Sequence, residues 1–335
     1  MKPCRHMLTV LCVMALCIHL FSTAASAASL VVIDLADTVY KAAPSVVEVF
    51  TETKQVSPFY QEYVTEGAGS GVVLTADGYI VTNHHVIDGA SAVRVRLNGG
   101  DAYDAALVGT DSKTDLAVLK IEAAGLTPAK LSDSSKARVG DFVIAIGNPL
   151  GELGGTVTEG IISARDREIT IDGQPMTLLQ TTAAVNPGNS GGGLFDLEGE
   201  LVGVVNSKSA GSGIEGLAFA IPSNTVREVA QELIRHGYVT GRPQLGIAVT
   251  RISRPTMGWR TYFDKPGLYI AQTFEDNGLK AGDRIIQIDG TAISESADIS
   301  TVLNRHSAGD TVKVTVSRGG QELSVSVKLT EEKPM

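Results

Sequence analysis

The chain has 335 residues, of which 43% are hydrophobic and 5% aromatic, and its formal net charge at pH 7 is −9. This length predicts about two domains, and the hydrophobic fraction is sufficient for buried cores. The negative charge and the lack of a basic stripe exclude nucleic acid as an expected partner, because phosphate binding requires clustered Lys and Arg side chains. The chain contains 36 glycines, which favours short strands joined by many turns.

Residues 1–27 are typical of a secretory signal peptide. Lys2 and Arg5 give a basic start, an apolar run follows over residues 8–21, and Ala25-Ser26-Ala27 is a small-residue cleavage site. The alternative is an uncleaved membrane anchor, although the run is short for a span. All three cysteines lie in this segment, so the cleaved chain would contain no thiol, which fits export.

Short apolar runs separated by turn residues follow the signal segment. A short helical face covers residues 30–43 and ends at Pro44. The first set of predicted strands covers residues 46–51, 71–74, 79–82, 92–97, 104–108 and 116–121, with a loop at 54–66. The second set covers residues 142–146, 156–162, 168–171, 178–181, 193–195, 201–205 and 217–221. Many short strands with no long helix between them indicate a β-barrel or sandwich rather than a parallel sheet.

One longer helix is predicted over residues 223–236. Ser223 can cap its N-terminus, its apolar residues share one face, and Gly237 ends it. A linker at 237–243 then leads to a further unit. That unit has a second helix at about 296–306 and a hairpin at Arg318-Gly319-Gly320.

Ser190 is the candidate nucleophile, because it lies between Gly188-Asn189 and three glycines. Such backbone bends sharply, so the hydroxyl can project while nearby N–H groups turn toward one point. A lone motif of this kind is also typical of a Gly-rich turn between strands. The serine needs a base and a carboxylate that orients the base, and the pair His84-His85 and Asp115 can supply them. At the end of a strand neighbouring side chains point to opposite faces, so only one histidine can face Ser190.

Six motifs in this order resemble those of the HtrA (Deg) family of serine endopeptidases. They are Gly69-Ser70-Gly71-Val72-Val73, Val81-Thr82-Asn83-His84-His85-Val86, Thr114-Asp115-Leu116-Ala117, Gly147-Asn148-Pro149, Gly188-Asn189-Ser190-Gly191-Gly192 and Ala218-Phe219-Ala220-Ile221-Pro222. The resemblance implies a mostly β fold, with a trypsin-like double six-stranded β-barrel followed by one PDZ domain. It places the base at His85, its orienting carboxylate at Asp115 and the nucleophile at Ser190. The backbone N–H groups of Gly188 and Ser190 would form the oxyanion hole.

The resemblance also implies the domain order and the binding sites. We expect a signal peptide at 1–27, a protease domain at 28–236, a linker at 237–243 and a PDZ domain at 244–330. A peptide would add as a strand to the PDZ domain, with its terminal carboxylate held by the N–H groups of Leu245, Gly246 and Ile247. The alternative is a structural β-domain with a glycine turn.

Substrate choice and control are further expectations. Ala184, six residues before the serine, would lie at the base of the primary pocket, which therefore prefers small aliphatic residues. A sensor loop is expected at 164–176, where Arg167 would couple it to the PDZ domain or a neighbouring subunit, or would be merely a solvated charge. No metal or organic cofactor is required. The family implies a periplasmic homotrimer that degrades misfolded, unfolded or signalling proteins.

Two departures from the family pattern leave alternatives open. Thr182 stands where an aspartate is usual, and Phe274-Glu275-Asp276-Asn277-Gly278 is shorter than the usual segment. The first puts in doubt how the activation loops are held, and the second the affinity for PDZ ligands. One alternative is a chaperone or peptide sensor with little proteolytic activity. Another is a membrane-anchored protease that cuts one specific partner.

Overall fold

The computed structural model describes residues 34–56, 62–148, 155–171, 174–186, 188–207, 217–254, 256–257, 262–263 and 265–333. The predicted signal peptide lies outside the described residues. Within these ranges, no helix has both the length and the apolar character that crossing a membrane requires.

The first β-barrel follows a short helix, α1 (Leu35–Ala42), and a 3-10 turn at Ala43–Ser45. Its strands are β1 (Val46–Val56), β2 (Glu62–Val73), β3 (Tyr79–Thr82), β4 (Ala92–Arg96), β5 (Ala102–Asp111) and β6 (Leu116–Ile121). They pair in the order β1-β2-β3-β6-β5-β4 and close on themselves. Alternate β-branched and leucine side chains point inward and form its core, as the two-residue period of a strand requires.

The second barrel repeats this plan. A 3-10 turn at Ser134–Lys136 precedes it. Its strands are β7 (Phe142–Gly147), β8 (Thr156–Ile171), β9 (Gln174–Thr181), β10 (Gly193–Phe195), β11 (Leu201–Asn206) and β12 (Ala218–Pro222). They close in the order β10-β11-β12-β9-β8-β7 around a separate core. The predicted pair of six-stranded barrels is therefore confirmed.

Two predictions about strands were wrong. The predicted loop at 54–66 is mostly strand, because β1 continues to Val56, β2 begins at Glu62, and these two residues pair. Polar residues do not end a strand when each backbone finds its partner in a two-stranded ribbon. The two strands predicted at 156–162 and 168–171 are one strand, β8, whose register shifts on either side of Ala164. Bulges of this kind bend a strand without ending it. Most of the expected sensor loop therefore belongs to the β8–β9 hairpin.

The main helix, α3 (Ser223–His236), has the predicted bounds. Gly237 ends it in the left-handed conformation (φ 81°) and donates its N–H to Leu233 O at 2.9 Å. The predicted Ser223 cap was wrong, because β12 leads directly into the helix and makes Pro222 the N-cap residue. The Ser223 hydroxyl instead donates to Ser132 O at 2.8 Å.

The C-terminal unit is a small β-sheet with one helix. Its elements are β13 (Pro243–Gln244), β14 (Ile247–Ile252), β15 (Thr256–Met257), β16 (Tyr262–Phe263), β17 (Gly267–Thr273), β18 (Arg284–Ile288), β19 (Thr291–Ala292), α4 (Ser296–Leu303), β20 (Thr311–Arg318), β21 (Gln321–Lys328) and β22 (Thr330–Glu331). A short helix, α2 (His84–Ile87), lies in the first barrel after β3. The main sheet has the order β14-β17-β18-β20-β21, and β13 pairs with β22 where this unit joins the rest of the chain. Helix α4 ends at Leu303, three residues earlier than predicted.

Candidate active site

The imidazole of His85 lies between a carboxylate and a hydroxyl. Its Nε2 is 2.9 Å from Ser190 Oγ, and its Nδ1 is 2.6 Å from Asp115 Oδ2. The other carboxylate oxygen, Asp115 Oδ1, accepts the backbone N–H of His85 at 3.0 Å. The carboxylate thus holds both the ring and the backbone of the same histidine. This geometry suits a base that takes a proton from Ser190 while the carboxylate fixes its tautomer.

The histidine pair lies on the single turn of α2 rather than at a strand end. Strand β3 stops at Thr82, Asn83 is extended, and the helix begins at His84. Successive residues of a helix point about 100° apart. Nδ1 of His84 is 2.7 Å from Thr110 Oγ1, away from the triad. The expectation that only one of the two histidines faces Ser190 agrees with the structure, although the local backbone differs.

Asp115 has a left-handed backbone conformation (φ 55°) in the turn between β5 and β6. Asp tolerates this region better than most residues. The carbonyl of Asp115 accepts the His84 N–H and the Asn83 side-chain amide, both at 3.0 Å. The aspartate is therefore bonded to the histidine segment through its backbone as well as its carboxylate.

The turn before Asp115 bonds to residues at the start and the end of the C-terminal unit. The buried carboxylate of Asp111 accepts the backbone N–H of Lys113 and of Thr114, each at 3.3 Å. The guanidinium of Arg242, just before β13, donates to both oxygens of Asp111 at 2.6 Å. Lys113 Nζ lies 2.6 Å from Glu332 Oε2. A bidentate pair with little solvent exposure is the stronger kind of ion pair.

Two residues that the sequence analysis missed hold the two ends of the triad. Asn206, the last residue of β11, donates its side-chain amide to Asp115 Oδ2 at 2.9 Å. The next residue, Ser207, donates its backbone N–H to Ser190 Oγ at 3.2 Å, and its hydroxyl contacts the same oxygen. Two polar residues directly after the apolar strand 201–205 were the signal that could have indicated them.

The loop that carries Ser190, residues 188–192, packs tightly against the first barrel and is called the nucleophile loop. Gly191 has a φ of 83°, and a Cβ atom there would collide with the carbonyl oxygen of Ser70. Ser190 O accepts the Ser70 N–H at 2.8 Å, and Gly188 O accepts the Ser70 hydroxyl at 2.7 Å. Among the described residues, none accepts a hydrogen bond from the backbone N–H of Ser190. Pro187 lies outside the described residues.

The residues predicted to set specificity and control lie on β8, β9 and the segment after β9. Ala184 is exposed, and its carbonyl accepts the Thr158 hydroxyl at 2.8 Å. Thr182 bonds to Ile161 twice, through its hydroxyl at 3.0 Å and its backbone N–H at 3.1 Å. Arg167 is exposed on β8 and pairs across the hairpin with Leu178.

The β8–β9 hairpin also reaches the base. A cavity of about 250 Å³ lies beside His85 and Asp115, and its wall includes Ile171, Gln174 and Met176 from the hairpin. Side chains of the segment expected to act as a sensor therefore share a cavity with two residues of the candidate triad. Larger cavities lie elsewhere, so hydrogen bonding rather than cavity size marks the site.

The loop expected to bind a peptide carboxylate, residues 245–247, contacts the segment 274–278, which departs from the family pattern. Leu245 is buried and its carbonyl accepts the Asn277 side-chain amide at 2.7 Å. The carbonyl of Gly246 accepts the Phe274 N–H at 2.8 Å, and the Glu275 side chain packs beside Gly246. Ile247 begins β14. The shortened segment thus lies directly against the loop.

Two six-stranded barrels with these three side chains between them define a trypsin-like serine protease. Residues 69–204 match the family described as "Trypsin-like peptidase domain", and residues 243–329 match the family described as "PDZ domain". The chain belongs to the HtrA family of serine proteases, and its trypsin-like domain is followed by one PDZ domain.

Similar proteins carry the names expected of this family. "Serine protease Do-like HtrA" of Lactobacillus helveticus is 44% identical over 285 residues, which cover 79% of this chain and 69% of the relative. "Probable periplasmic serine endoprotease DegP-like" of Marinomonas sp. (strain MWYL1) is 41% identical over 268 residues, covering 78% of this chain and 56% of the relative. The chain thus spans about half the length of that DegP-like relative. The solved structure "HtrA-type protease AlgW with decapeptide" has 35% identity and a TM-score of 0.60, covering 90% of this chain and 100% of its own.

Proposed function

We propose that this chain is an exported endopeptidase that cleaves peptide bonds through an acyl-enzyme on Ser190. The observation that supports it is the line of hydrogen bonds from Asp115 Oδ2 through His85 to Ser190 Oγ, at 2.6 and 2.9 Å. Three polar side chains from two barrels meet at the spacing that proton transfer requires.

In the proposed reaction, Ser190 Oγ attacks the peptide carbonyl carbon and its proton passes to Nε2 of His85. The N–H groups of Gly188 and Ser190 stabilise the negative oxygen of the tetrahedral intermediate. The C–N bond then breaks, and His85 returns the proton to the leaving amine. Water attacks the resulting ester with His85 again as the base, which releases the acid product and restores Ser190. Asp115 holds the ring throughout.

The proposed substrate preference rests on Ala184 at the base of the primary pocket. The side chain of Ala184 has no carboxylate that could hold a Lys or Arg side chain, so we expect cleavage after Val, Ala or Ile. Peptides that differ only at this position test the preference. Equal or faster cleavage after Arg than after Val would refute it.

The proposed biological role is the degradation of misfolded, unfolded or signalling proteins in the periplasm, controlled by C-terminal peptides at the PDZ domain. The match to the PDZ domain family and the similar HtrA-type protease solved with a decapeptide support peptide binding. We further propose the domain limits 28–236 and 244–330, a homotrimeric assembly, and Leu245, Gly246 and Ile247 as the carboxylate-binding residues. Arg167 is proposed to couple the β8–β9 hairpin to the PDZ domain or a neighbouring subunit.

Degradation of unfolded casein tests the proposed activity. Wild type should cleave casein and react with a fluorophosphonate probe, whereas Ser190→Ala should do neither. Suppression of aggregation is measured in parallel on both proteins. Equal protection of unfolded protein by both, with no cleavage by either, would contradict the proposal and favour a chaperone or peptide sensor.

A further inference from the structure

Ser70, on β2 of the first barrel, is fully buried and bonds to the second barrel through two of its polar groups. Its backbone N–H donates to Ser190 O at 2.8 Å. Its hydroxyl donates to Gly188 O at 2.7 Å and accepts the backbone N–H of Asn148 at 2.8 Å. Its carbonyl accepts the Thr82 hydroxyl, within the first barrel, at 2.7 Å. No other serine of the described candidate site makes so many bonds to backbone of the nucleophile loop.

The direction of the Ser70 hydroxyl is determined by its neighbours. A serine hydroxyl has one proton to donate. The Asn148 N–H donates to a lone pair of Oγ, and the carbonyl oxygen of Gly188 can only accept, so the single hydroxyl proton points to Gly188 O. Two hydrogen bonds in series therefore connect the backbone of Asn148, just after β7, through the Ser70 side chain to Gly188 in the nucleophile loop.

The carbonyl that receives this bond belongs to a sensitive peptide unit. The peptide between Gly188 and Asn189 lies between the two proposed oxyanion donors, the N–H groups of Gly188 and Ser190. A peptide unit is planar, so holding its carbonyl also fixes its N–H on the opposite side. That N–H, of Asn189, donates to Asn186 O at 3.0 Å. Both edges of the unit are thus bonded, which limits rotation of the backbone on either side of it.

We propose that Ser70 is a positioning residue that holds the oxyanion-binding backbone in the orientation that accepts the tetrahedral intermediate. The inference rests on the proposed endopeptidase function. Ser70 does not contact the base or the reacting hydroxyl through its side chain, so it acts through Gly188. The effect of removing its hydroxyl should therefore appear in the transition state and not in substrate binding.

The Ser70→Ala variant removes the hydroxyl and keeps the small buried side chain. We expect kcat on a peptide substrate to fall about 10- to 100-fold, less than or comparable with loss of an oxyanion donor, with KM little changed. A peptide aldehyde that forms a tetrahedral adduct should lose affinity by the same factor. A noncovalent peptide of the same sequence should bind as before. A merely structural role would not produce this division between the two ligands.

Two further variants complete the test. Thr82→Val removes the buried hydroxyl that bonds to Ser70 O but leaves the bond to Gly188 intact, so its kcat should fall much less. Ser70→Cys keeps a weak donor and should give an intermediate kcat, and it carries the test if Ser70→Ala does not fold. Equal losses in Ser70→Ala and Thr82→Val, or an unchanged aldehyde affinity in the Ser70 variants, would overturn the proposal. If wild type is no more active than Ser190→Ala, the proposed function itself fails. If wild type is active and Ser70 variants match it, only the positioning role fails.

Discussion

The two barrels share one topology but contribute to the site in different ways. The first supplies His85 and Asp115, which bond to each other through backbone and side chains, and Ser70, which bonds across to the second barrel. The second supplies Ser190 on a glycine-rich loop, and its neighbours Asn206 and Ser207 reach back to the triad. A closed barrel can therefore provide either preorganised side chains or a shaped backbone, and the site depends on hydrogen bonds between the two barrels.

Substitution of one candidate triad residue from each barrel should lower activity more than any other change considered. Asp115→Asn and Ser190→Ala should each lower kcat by about 10⁴-fold or more, and the double variant should be little worse than Ser190→Ala. The reason is that in the proposed mechanism the three side chains act as a unit. Steady-state cleavage of a peptide substrate measures these rates. Additive losses in the double variant would show that the two barrels act independently.

Gly191→Ala should be the next most damaging change, because its Cβ would collide with Ser70 O across the interface between the barrels. We expect a loss of activity of about 100-fold or more, comparable with misplacement of a reacting group by 1 Å. Gly89→Ala is the matched control, since Gly89 also has a positive φ (69°) but no atom lies within 4 Å of the added Cβ. The control should lose about 1 kcal/mol of stability and no activity. Similar activity in both variants would remove the collision as the cause.

Asn206→Ala tests the bond that the second barrel makes to Asp115. Loss of a donor to the carboxylate should lower kcat about tenfold, since a hydrogen bond to a charged group contributes about 1.5 kcal/mol. Asn98→Ala, which removes an exposed hydrogen bond from a side-chain amide to Ala43 O, should leave kcat unchanged. Peptide cleavage by the three proteins gives the comparison. A wild-type rate in Asn206→Ala would mean that the first barrel alone positions Asp115.

Arg242→Met should reduce stability, because it leaves the buried Asp111 carboxylate without its bidentate partner. We expect a loss of about 1–3 kcal/mol in urea unfolding, because the buried carboxylate loses its charged donor and keeps only the bonds from Lys113 and Thr114. Arg94→Met is the control, since Arg94 and Asp104 form an exposed pair at 3.5 Å, and exposed pairs contribute about 0–1 kcal/mol. Equal losses in the two variants would show that burial of Asp111 has no energetic consequence.

The smallest expected effect concerns Asp133, in the segment that joins the barrels. Hydrogen bonds from Asn224 and then Ser135 lower the pKa of its carboxyl below the ordinary value. A group with a lowered folded-state pKa stabilises the protein above its unfolded pKa, and this contribution is lost as the pH falls toward the folded value. Asp133→Asn should therefore show a slightly shallower loss of stability on acidification below about pH 4. Urea midpoints measured at several acidic pH values check it, and parallel curves would contradict it.

The sequence allowed the main residues of the site to be predicted, because short motifs carry them. His85 follows an apolar run, Asp115 precedes one, and Ser190 lies among glycines. The structure brings the three side chains together. The alternating apolar pattern likewise indicated most strands of both barrels. Prediction failed at 54–66, where exposed polar residues form a paired ribbon that no buried face marks.

The bonds that support the site could not be predicted in the same way. Ser70 lies in a motif used only to recognise the family, and its partner Gly188 is 118 residues away. Asn206 reaches Asp115 across 91 residues. Such pairs depend on how two separately closed barrels approach each other, which local patterns do not contain. The Ser223 cap failed for a related reason, since the preceding strand fixes where the helix begins.

The ion pair between Arg242 and Asp111 makes the protease and PDZ domains less modular than their separate folds imply. Arg242 falls in the stretch that the sequence assigns to a linker, yet its guanidinium supports a turn that ends at Asp115. A truncation after residue 236 would therefore remove an arginine that stabilises the first barrel. Chimeras that exchange PDZ domains between relatives should keep Arg242 together with the barrel that contains Asp111.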